Sequence, residues 1–381
     1  MTAKPHFYLI FPNIFDFKGG IQVYSTFLLK ALQDIYPEAD YDVFLKYDRY
    51  SLNQPEKLQF LSSTRFHYFG DLPKLLQSIF FITKIIILAI FQNPIIIIST
   101  HVNYAIVCYI LKCFTGIPYW VVAHGLEVWE IEKKATKFAL EKADKIISVS
   151  NYTRQRLLKD INIDSDKIVI LPNTFDASKF RISYKPTYLL KRYNLTAEQP
   201  VILTVTRLGS MAKYKGYDQI LYALVKVRSH LSNVHFILVG KGDDIPRIKA
   251  LITNLNLQDC VTITGFVPDK ELCDHYNLCD VFALPSKKEG FGIVFLEALA
   301  CGKPILAGNQ DGSIDPLADG KLGCLVDPDN IEEIADNLVQ ILQGDCSNRV
   351  IYQPKYLQQK TIEAFDFSQF RASLAKLVSD K

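Results

Sequence analysis

The 381-residue sequence has no marked excess of one charge and no low-complexity tail. Its 43 Lys and Arg residues oppose 40 Asp and Glu residues, which gives a formal net charge of +3. A charge so close to balance excludes a strongly basic nucleic-acid-binding protein. Because 49% of the residues are hydrophobic, the chain is not depleted of core-forming side chains. The composition therefore predicts a globular protein, and the length predicts two or three domains.

The eight cysteines lack the C-x-x-C spacing of zinc and redox sites. The pairs Cys108/Cys113 and Cys273/Cys279 are spaced too widely, and several cysteines lie within apolar segments. We therefore expect free thiols, most of them buried. Residues 1–10 lack the pattern of a secretory signal, so we expect none there. Together these features predict a cytoplasmic protein.

One long apolar run covers residues 75–91, LLQSIFFITKIIILAIF. Its length is at the lower limit for a membrane span, and Lys84 near its centre would cost about 3 kcal/mol in a bilayer. Pro94 ends the run, and the isoleucines that follow predict a buried parallel strand. The segment favours a hydrophobic helix packed on a sheet over a membrane-inserted helix, and a partly exposed, membrane-touching helix is a further alternative.

β-Branched apolar runs alternate with longer helical patterns along the chain, which is typical of parallel α/β domains. The strands predicted in the first half are 6–11, 41–46, 65–69, 95–99, 119–123, 145–149 and 168–171. Those predicted in the second half are 201–206, 234–239, 261–264, 280–284, 304–307 and 324–326.

Each half is long enough to form a doubly wound α/β domain. We place a first domain at residues 1–175, a second at 176–353, and a C-terminal helical segment, 354–381, that packs back onto the first domain. Ligands of such sheets bind outside the carboxyl ends of the strands, so two facing domains predict a deep cleft.

The segment 285–308, PSKKEGFGIVFLEALACGKPILAG, is the densest chemical signal. It predicts a strand end, a glycine loop, a helix closed by Gly302, and a new strand opened by Pro304. Gly290 and Gly292 allow a ligand to approach the backbone, and a helix start after them is suited to an anion such as a diphosphate. The amides that we expect to bind it belong to Phe291, Gly292, Ile293 and Val294.

Two glutamates flank this glycine loop. Glu297 lies about 6 Å along the helix axis from Ile293, where it can accept hydrogen bonds from the hydroxyls of a ribose. Glu289 precedes the loop and faces the other end of the same ligand. A single glutamate at a helix start often only complements the helix dipole, but two on an apolar segment favour a binding site.

These residues resemble the E-x7-E segment of family 4 glycosyltransferases, which retain anomeric configuration, use nucleotide sugars and have the GT-B fold. The resemblance extends over nearly the whole chain, and the order and spacing of its motifs carry it. The other matching motifs are Gly19-Gly20, His124-Gly125-Leu126-Glu127, Ser150-Asn151-Tyr152-Thr153, Pro172-Asn173 with Asp176, Arg207-Leu208 with Lys215-Gly216, Gly240-Lys241-Gly242, Gly265-Phe266-Val267, and Asp311-Gly312-Ser313 with Asp319-Gly320.

The resemblance implies a role for each of the other site residues. Arg207 and Lys215 would neutralise the charge on a leaving diphosphate, and Gly19 and Gly20 would bring backbone amides to the same phosphates from the first domain. The remaining donor-binding positions that it implies are Gly240, Phe266 and Val267.

The resemblance also implies the catalytic roles. His124 would contact the transferred sugar without acting as general base, since the departing phosphate oxygen can itself take the acceptor proton. Glu289 would hold sugar hydroxyls and stabilise positive charge at the anomeric carbon. No metal and no cofactor are expected. Asp327-Pro328-Asp329 spells a D-x-D metal motif, but its context predicts a turn and a helix cap.

The function implied is transfer of a hexose, with UDP-glucose as the expected donor, onto a saccharide or lipid-linked acceptor in polysaccharide or glycolipid synthesis. A basic helix after Trp129, together with the apolar run, adds the hypothesis of peripheral contact with an anionic membrane. A nucleotide-sugar epimerase and a catalytically silent carbohydrate- or membrane-binding protein are the alternatives.

Overall fold

The structure is a computed structural model that describes residues 4–16, 19–51, 55–129 and 131–379. The chain divides into two compact units. The first comprises Met1–Thr174 and Phe367–Lys381, and the second comprises Phe175–Asp366.

Both units consist of parallel strands and helices that alternate along the chain. The strands are β1 (His6–Phe11), β2 (Asp40–Leu45), β3 (Thr64–Tyr68), β4 (Ile96–Ser99), β5 (Tyr119–Ala123), β6 (Lys145–Ser148), β7 (Ile168–Ile170), β8 (Val201–Val205), β9 (His235–Val239), β10 (Val261–Gly265), β11 (Val281–Leu284), β12 (Ile305–Gly308) and β13 (Cys324–Val326). The helices are α1 (Gly20–Ile35), α2 (Lys74–Gln92), α3 (Ala105–Thr115), α4 (Lys134–Glu141), α5 (Asn151–Asp160), α6 (Thr187–Tyr193), α7 (Tyr217–His230), α8 (Ile245–Asn254), α9 (Asp269–Leu278), α10 (Ile293–Ala300), α11 (Ile331–Gln343), α12 (Pro354–Phe365) and α13 (Phe367–Ser379).

Every predicted strand is present, and its ends differ from the prediction by at most one residue. The apolar runs were recognisable because the central strands are buried on both faces, as β4 and β5 are throughout their lengths. The first sheet has the strand order β3-β2-β1-β4-β5-β6-β7, and the second has the order β10-β9-β8-β11-β12-β13. The predicted α/β class, with two doubly wound units, is confirmed.

The order of strands determines which loops become neighbours at the carboxyl edge of the second sheet. There β8 pairs with β9 and β11, while β12 pairs with β11 and β13. Because all these strands are parallel, the loops that follow them emerge at one edge. The candidate site is built on those loops.

The C-terminal segment, 354–381, is predicted to be one helical element, but it forms two helices, α12 and α13. Asp366 adopts an extended conformation with φ −61° and ψ 156° and forms a bridge with Phe175, so the helix is interrupted there. The first of the resulting helices, α12, packs on α10 within the second unit. Only α13 packs on α1 in the first unit, where the ring centroids of Phe370 and Tyr24 are 5.4 Å apart.

All eight cysteines are free thiols, and seven of them are buried. Cys113 is the exposed one. The prediction of free, mostly buried cysteines is therefore confirmed.

A buried carboxylate joins three neighbouring strands of the first sheet. Asp42 on β2 has no exposed surface, and its carboxylate contacts His6 Nε2 at 2.6 Å and His67 Nε2 at 2.5 Å. Arg65 on β3 donates to it through Nη2 at 2.6 Å and Nε at 3.1 Å. Burial alone would raise the pKa of Asp42, but these hydrogen bonds hold the pKa well below its usual range.

We expect Asp42→Asn to reduce the free energy of unfolding by about 2 kcal/mol at neutral pH, because it removes a charge from a fully bonded buried cluster. The pKa of Asp42 is lower in the folded than in the unfolded chain. The stabilisation is therefore fully present above about pH 4, the unfolded value, and is lost as the pH falls below it. Urea unfolding of both proteins checks this: the difference between them should shrink below about pH 4, and a difference that grows there would contradict it.

Candidate functional site

Backbone hydrogen bonds connect the loops after β8, β9 and β10. Leu208 N–H donates to the Lys241 carbonyl at 3.1 Å, and Gly240 N–H donates to the Gly265 carbonyl at 3.0 Å. The Lys241 ammonium lies 5.1 Å from the ring centroid of Phe266, which is 63% exposed. Three of the segments singled out from the sequence thus form one continuous rim.

The predicted donor-side residues of this rim follow their strands closely. Gly240 comes directly after β9, and Phe266 and Val267 come directly after β10. Val267 packs partly into the hydrophobic core of the second unit, whereas Phe266 keeps its ring accessible. Arg207 is exposed two residues beyond the end of β8.

The loops after β8 and β11 meet through an ion pair. Lys215, at the end of a 3₁₀ turn, pairs with Glu289, and both side chains are largely buried, with 14% and 17% exposed. Lys287 N–H donates to the Tyr214 carbonyl at 2.9 Å and fixes the two loops side by side. Two candidate catalytic residues that are 74 positions apart in the chain are therefore in contact.

Glu289 keeps the Lys215 side chain protonated. Burial alone would lower the pKa of Lys215, but the adjacent Glu289 carboxylate raises it above its ordinary value. The side chain is therefore a cation at neutral pH. A permanent positive charge beside a buried carboxylate suits the binding of an anion together with a hydroxyl-bearing group.

The glycine loop after β11 leads directly into α10. Gly290, Phe291 and Gly292 are buried, and the Phe291 ring lies edge-on to Phe365 with centroids 5.5 Å apart. Gly292 precedes the first helical residue with φ +90°, a left-handed conformation that favours glycine.

The predicted amides thus lie at a helix start. Ile293 and Val294 occupy the first two positions of α10, whose amides have no partner within a helix. The predicted arrangement of a glycine loop followed by a helix N-terminus is present.

Glu297 lies on the second turn of α10 and accepts a hydrogen bond from the Tyr276 hydroxyl at 2.7 Å. Tyr276 on α9 is fully buried, and burial together with the Glu297 charge raises its pKa well above the ordinary value. The phenol therefore stays a donor and fixes one carboxylate oxygen. No sequence pattern indicates this partner, since the two residues are on different helices.

Asp311, after β12, is a positioning residue whose role sequence reasoning did not find. Its buried carboxylate accepts the Glu289 N–H and the Ser286 hydroxyl, each at 2.7 Å, and the Ser313 N–H at 2.9 Å. Burial raises the pKa of Asp311 to about 6. The carboxylate thereby fixes the backbone at the start of the glycine loop.

Gly312 is adjacent, and its N–H donates to the Glu289 carbonyl at 2.7 Å. A Cβ atom there would collide with the Gly290 backbone. Close approach of the two loops therefore requires glycine at this position.

Asp311→Ala is expected to destabilise the protein by about 2 kcal/mol, because it leaves buried donors unpaired. It should also weaken binding of the nucleotide that the sequence predicts at this loop, roughly tenfold, by releasing the glycine loop. Urea unfolding and titration calorimetry with UDP measure the two effects. Ser313→Ala is the matched control, since it keeps the carboxylate and the Ser313 N–H. Unchanged nucleotide affinity in the aspartate variant would contradict the positioning role.

In the first unit, Gly19 and Gly20 form the start of α1, with Gly19 as the N-terminal cap. The preceding loop is held by the Asp48 carboxylate, which accepts the N–H groups of Ile14 at 2.7 Å and Asp16 at 2.9 Å. Residues 17 and 18 of this loop lie outside the described residues. The predicted glycine turn before a helix is present.

His124 directly follows β5, as the sequence predicts. Its Nε2 lies 3.1 Å from the Thr100 carbonyl, and its ring is edge-on to Tyr24 of α1 with centroids 5.0 Å apart. Burial lowers the pKa of His124 to about 3, so the imidazole is neutral at physiological pH. Because a carbonyl can only accept, Nε2 carries the proton and Nδ1 is left as an acceptor.

Glu127 fixes this histidine through the backbone. Its carboxylate accepts the His124 N–H at 2.5 Å, and burial raises its pKa. The conformation of the turn after β5 thus depends on a glutamate that the sequence marked only as part of a motif.

The Asp327-Pro328-Asp329 segment is the turn that its context predicts. Asp327 Oδ1 accepts the Asp329 N–H at 2.9 Å, Lys287 pairs with Asp329, and Asn330 caps α11 through the Glu333 N–H at 3.1 Å.

Comparisons with known proteins agree with this architecture. The family model described as Glycosyltransferase Family 4 matches residues 18–179, and that described as Glycosyl transferases group 1 matches residues 189–357. The two models together match most of the chain. The chain therefore belongs to the glycosyltransferases that these two family models describe.

Among curated relatives, the GDP-mannose-dependent alpha-(1-6)-phosphatidylinositol monomannoside mannosyltransferase of Mycobacterium tuberculosis is 32% identical over 231 residues. That match covers 58% of this chain and 59% of the relative, so the chain spans about three fifths of the relative's length. An uncharacterized glycosyltransferase of Methanocaldococcus jannaschii is 24% identical, and the match covers 88% of this chain and 89% of that protein.

The solved structures that resemble the chain include sucrose-phosphate synthase from Thermosynechococcus elongatus, with a TM-score of 0.82 and 21% identity, covering 99% of each chain. Anabaena HepE in complex with UDP-glucose superposes with a TM-score of 0.80 and 19% identity, covering 98% of this chain and 100% of its own. The predicted GT-B fold is confirmed.

Proposed function

We propose that the protein transfers a hexose from a nucleoside diphosphate hexose to a saccharide or lipid-linked acceptor, with retention of anomeric configuration and without a metal. The observation that carries the proposal is the ion pair between Lys215 and Glu289, fixed beside a glycine loop and the N-terminus of α10. A cation, helix amides and a carboxylate at one strand edge are the groups that a sugar diphosphate requires.

In the proposed reaction the bond between the anomeric carbon and the diphosphate oxygen breaks, and a bond to the acceptor oxygen forms on the same face. The acceptor proton passes to the departing phosphate oxygen. Lys215 and Arg207 neutralise the charge that accumulates on the diphosphate, which is the usual function of a metal ion in such reactions. Glu289 accepts hydrogen bonds from sugar hydroxyls and stabilises the positive anomeric carbon.

The remaining proposed groups bind the donor from its two ends. Glu297 accepts hydrogen bonds from the ribose, and neutral His124 accepts one from the transferred sugar through Nδ1. Gly19 and Gly20 supply amides to the phosphates. Phe266 and its neighbours Gly240 and Val267 lie on the side of the nucleobase.

UDP-glucose is the donor that we propose first, and the similarity to HepE, solved with UDP-glucose, supports it. The mannosyltransferase relative is named for GDP-mannose and a phosphatidylinositol monomannoside, which makes GDP-mannose the necessary comparison and supports a lipid-linked acceptor. The free thiols suit a reducing compartment, so we propose action in the cytoplasm, in polysaccharide or glycolipid synthesis.

A thermal-shift screen of UDP-, GDP- and ADP-hexoses tests the donor class. A donor at a hundred times its Kd should stabilise the protein by about 2.7 kcal/mol. With the best donor and an acceptor mixture, nucleotide release should persist in EDTA, and the product should keep the donor's anomeric configuration by NMR.

Incubation of donor alone separates the alternatives. An epimerase would convert the sugar without an acceptor, whereas a silent binding protein would release no nucleotide under any condition. Either result, or inversion of the anomeric configuration in the product, would overturn the proposed reaction.

A further inference from the structure

The outward face of α2 carries exposed apolar side chains from one end to the other, with Thr83 and Lys84 as the exposed polar residues near its middle. Among the described residues, α2 is the one helix long and apolar enough to cross a membrane, yet only 22% of its most apolar 18-residue stretch is buried. Leu75 and Phe91, at its two ends, are 85% and 83% exposed, and they are about 24 Å apart along the helix axis. An outward face of this kind is unusual for a helix that is exposed to water.

The neighbouring helix extends this surface. α3 packs against α2, and its Phe114 is 77% exposed. We call this surface the α2–α3 face, and it consists of Leu75, Leu76, Ile79, Phe80, Ile87, Ile90 and Phe91 on α2 and Ile110 and Phe114 on α3.

The opposite side of α2 is fixed to the first unit. Phe81, Ile85 and Ala89 are buried in its hydrophobic core, and the Gln77 amide donates to the Lys46 carbonyl at 2.8 Å. Leaving the fold to cross a bilayer would expose these core residues and break that hydrogen bond. The helix can therefore meet a membrane only with its axis in the plane of the surface.

Lysines are concentrated on and beside α4, which packs against α3. The stretch 131–142, which includes α4, carries four lysines and two glutamates. The ring of Phe138 on α4 lies edge-on to Tyr109 of α3, with centroids 5.3 Å apart, and the Lys142 ammonium lies 5.4 Å from the Phe138 centroid. Lys84 adds an exposed charge on α2 itself. An apolar surface with lysines on the adjacent helix complements a bilayer with anionic head groups.

We propose that the α2–α3 face is a docking surface for an anionic lipid bilayer, with α2 lying in the interface and the lysines of 131–142 contacting the head groups. A second copy of the chain fits this face less well, because a symmetric contact would place like-charged lysines close together, whereas anionic lipid neutralises them. The inference does not depend on the proposed transfer reaction.

Co-sedimentation of the purified chain with vesicles tests the proposal. Phosphatidylcholine vesicles that contain phosphatidylglycerol should bind the protein at least about tenfold more tightly than phosphatidylcholine alone, and high salt should release it. In an F80W variant, the new indole should be quenched by brominated lipid, since Phe80 is on the outward face of α2.

The triple variant I79Q/F80Q/F91Q should lose vesicle binding by on the order of a hundredfold. Its side chains are exposed, so circular dichroism and the thermal midpoint should match those of the wild type. The matched control is Y184Q/Y222Q/V225Q, which removes exposed apolar side chains of the second unit and should bind vesicles normally.

A charge variant tests the second half of the proposal. K133Q/K134Q/K142Q should weaken binding by on the order of a hundredfold and remove most of its salt dependence. The proposal would be overturned if the folded I79Q/F80Q/F91Q variant bound vesicles as tightly as wild type, or if binding did not depend on lipid charge. If the wild type instead formed a stable dimer that the I79Q/F80Q/F91Q substitutions disrupt, and bound no vesicles, the face would be assigned to a second copy of the chain.

Discussion

Replacing Lys215 by alanine is expected to lower turnover about 10²- to 10³-fold, while the KM for the donor changes much less. The ammonium is held beside Glu289 by burial and charge, and in the proposed reaction its interaction with the diphosphate strengthens as the diphosphate leaves. Its removal therefore acts mainly on the transition state. Nucleotide release under saturating donor and acceptor measures the effect.

Lys213→Ala is the matched control for this variant. Lys213 belongs to the same 3₁₀ turn but is exposed, so we expect near-normal turnover. Urea unfolding of both variants separates a loss of chemistry from a loss of fold. Wild-type turnover in the Lys215→Ala variant would contradict the assignment of the catalytic site.

Glu297→Ala is expected to weaken UDP binding up to about a hundredfold, because the two hydrogen bonds that we propose from ribose hydroxyls to its carboxylate would be lost. Turnover at saturating donor should change little, since the proposed bonds would hold the ribose equally in the ground and transition states. Titration calorimetry with UDP and steady-state kinetics measure the two quantities.

Tyr276→Phe tests whether the carboxylate must be fixed in place. It removes only the hydroxyl that donates to Glu297 and keeps the buried ring. We expect a smaller loss of affinity, roughly threefold to tenfold, from a more mobile carboxylate. If the Glu297→Ala variant binds UDP as tightly as wild type, the ribose of the nucleotide lies elsewhere.

The strands were predictable because local sequence determined them. β4 and β5 are continuous apolar runs that end at polar residues or glycine, and their burial on both faces leaves little ambiguity. The break at Asp366 was not predictable, since nothing in the local helical pattern excludes a continuous helix there. It depends on a bridge to Phe175, which is distant in the sequence.

The site was predictable to the extent that it consists of contiguous motifs. The glycine loop and helix start at 290–294 are local features, and they lie where the sequence predicts them. The buried partners were not predictable: Asp311 fixes Glu289, and Tyr276 fixes Glu297, across separations that no periodicity marks. Such contacts follow only from the order of strands in the sheet.

The division of the terminal helices has a consequence for biosynthesis. The second unit is encoded without interruption from Phe175 to Asp366, so it can fold while the chain is still growing. The first unit, although it emerges earlier from the ribosome, lacks the helix that covers Tyr24 and Phe27 until α13 has been translated. We therefore expect the first unit to complete its folding last. Until then, the apolar residues of α1 that α13 covers should be exposed on nascent chains and accessible to chaperones.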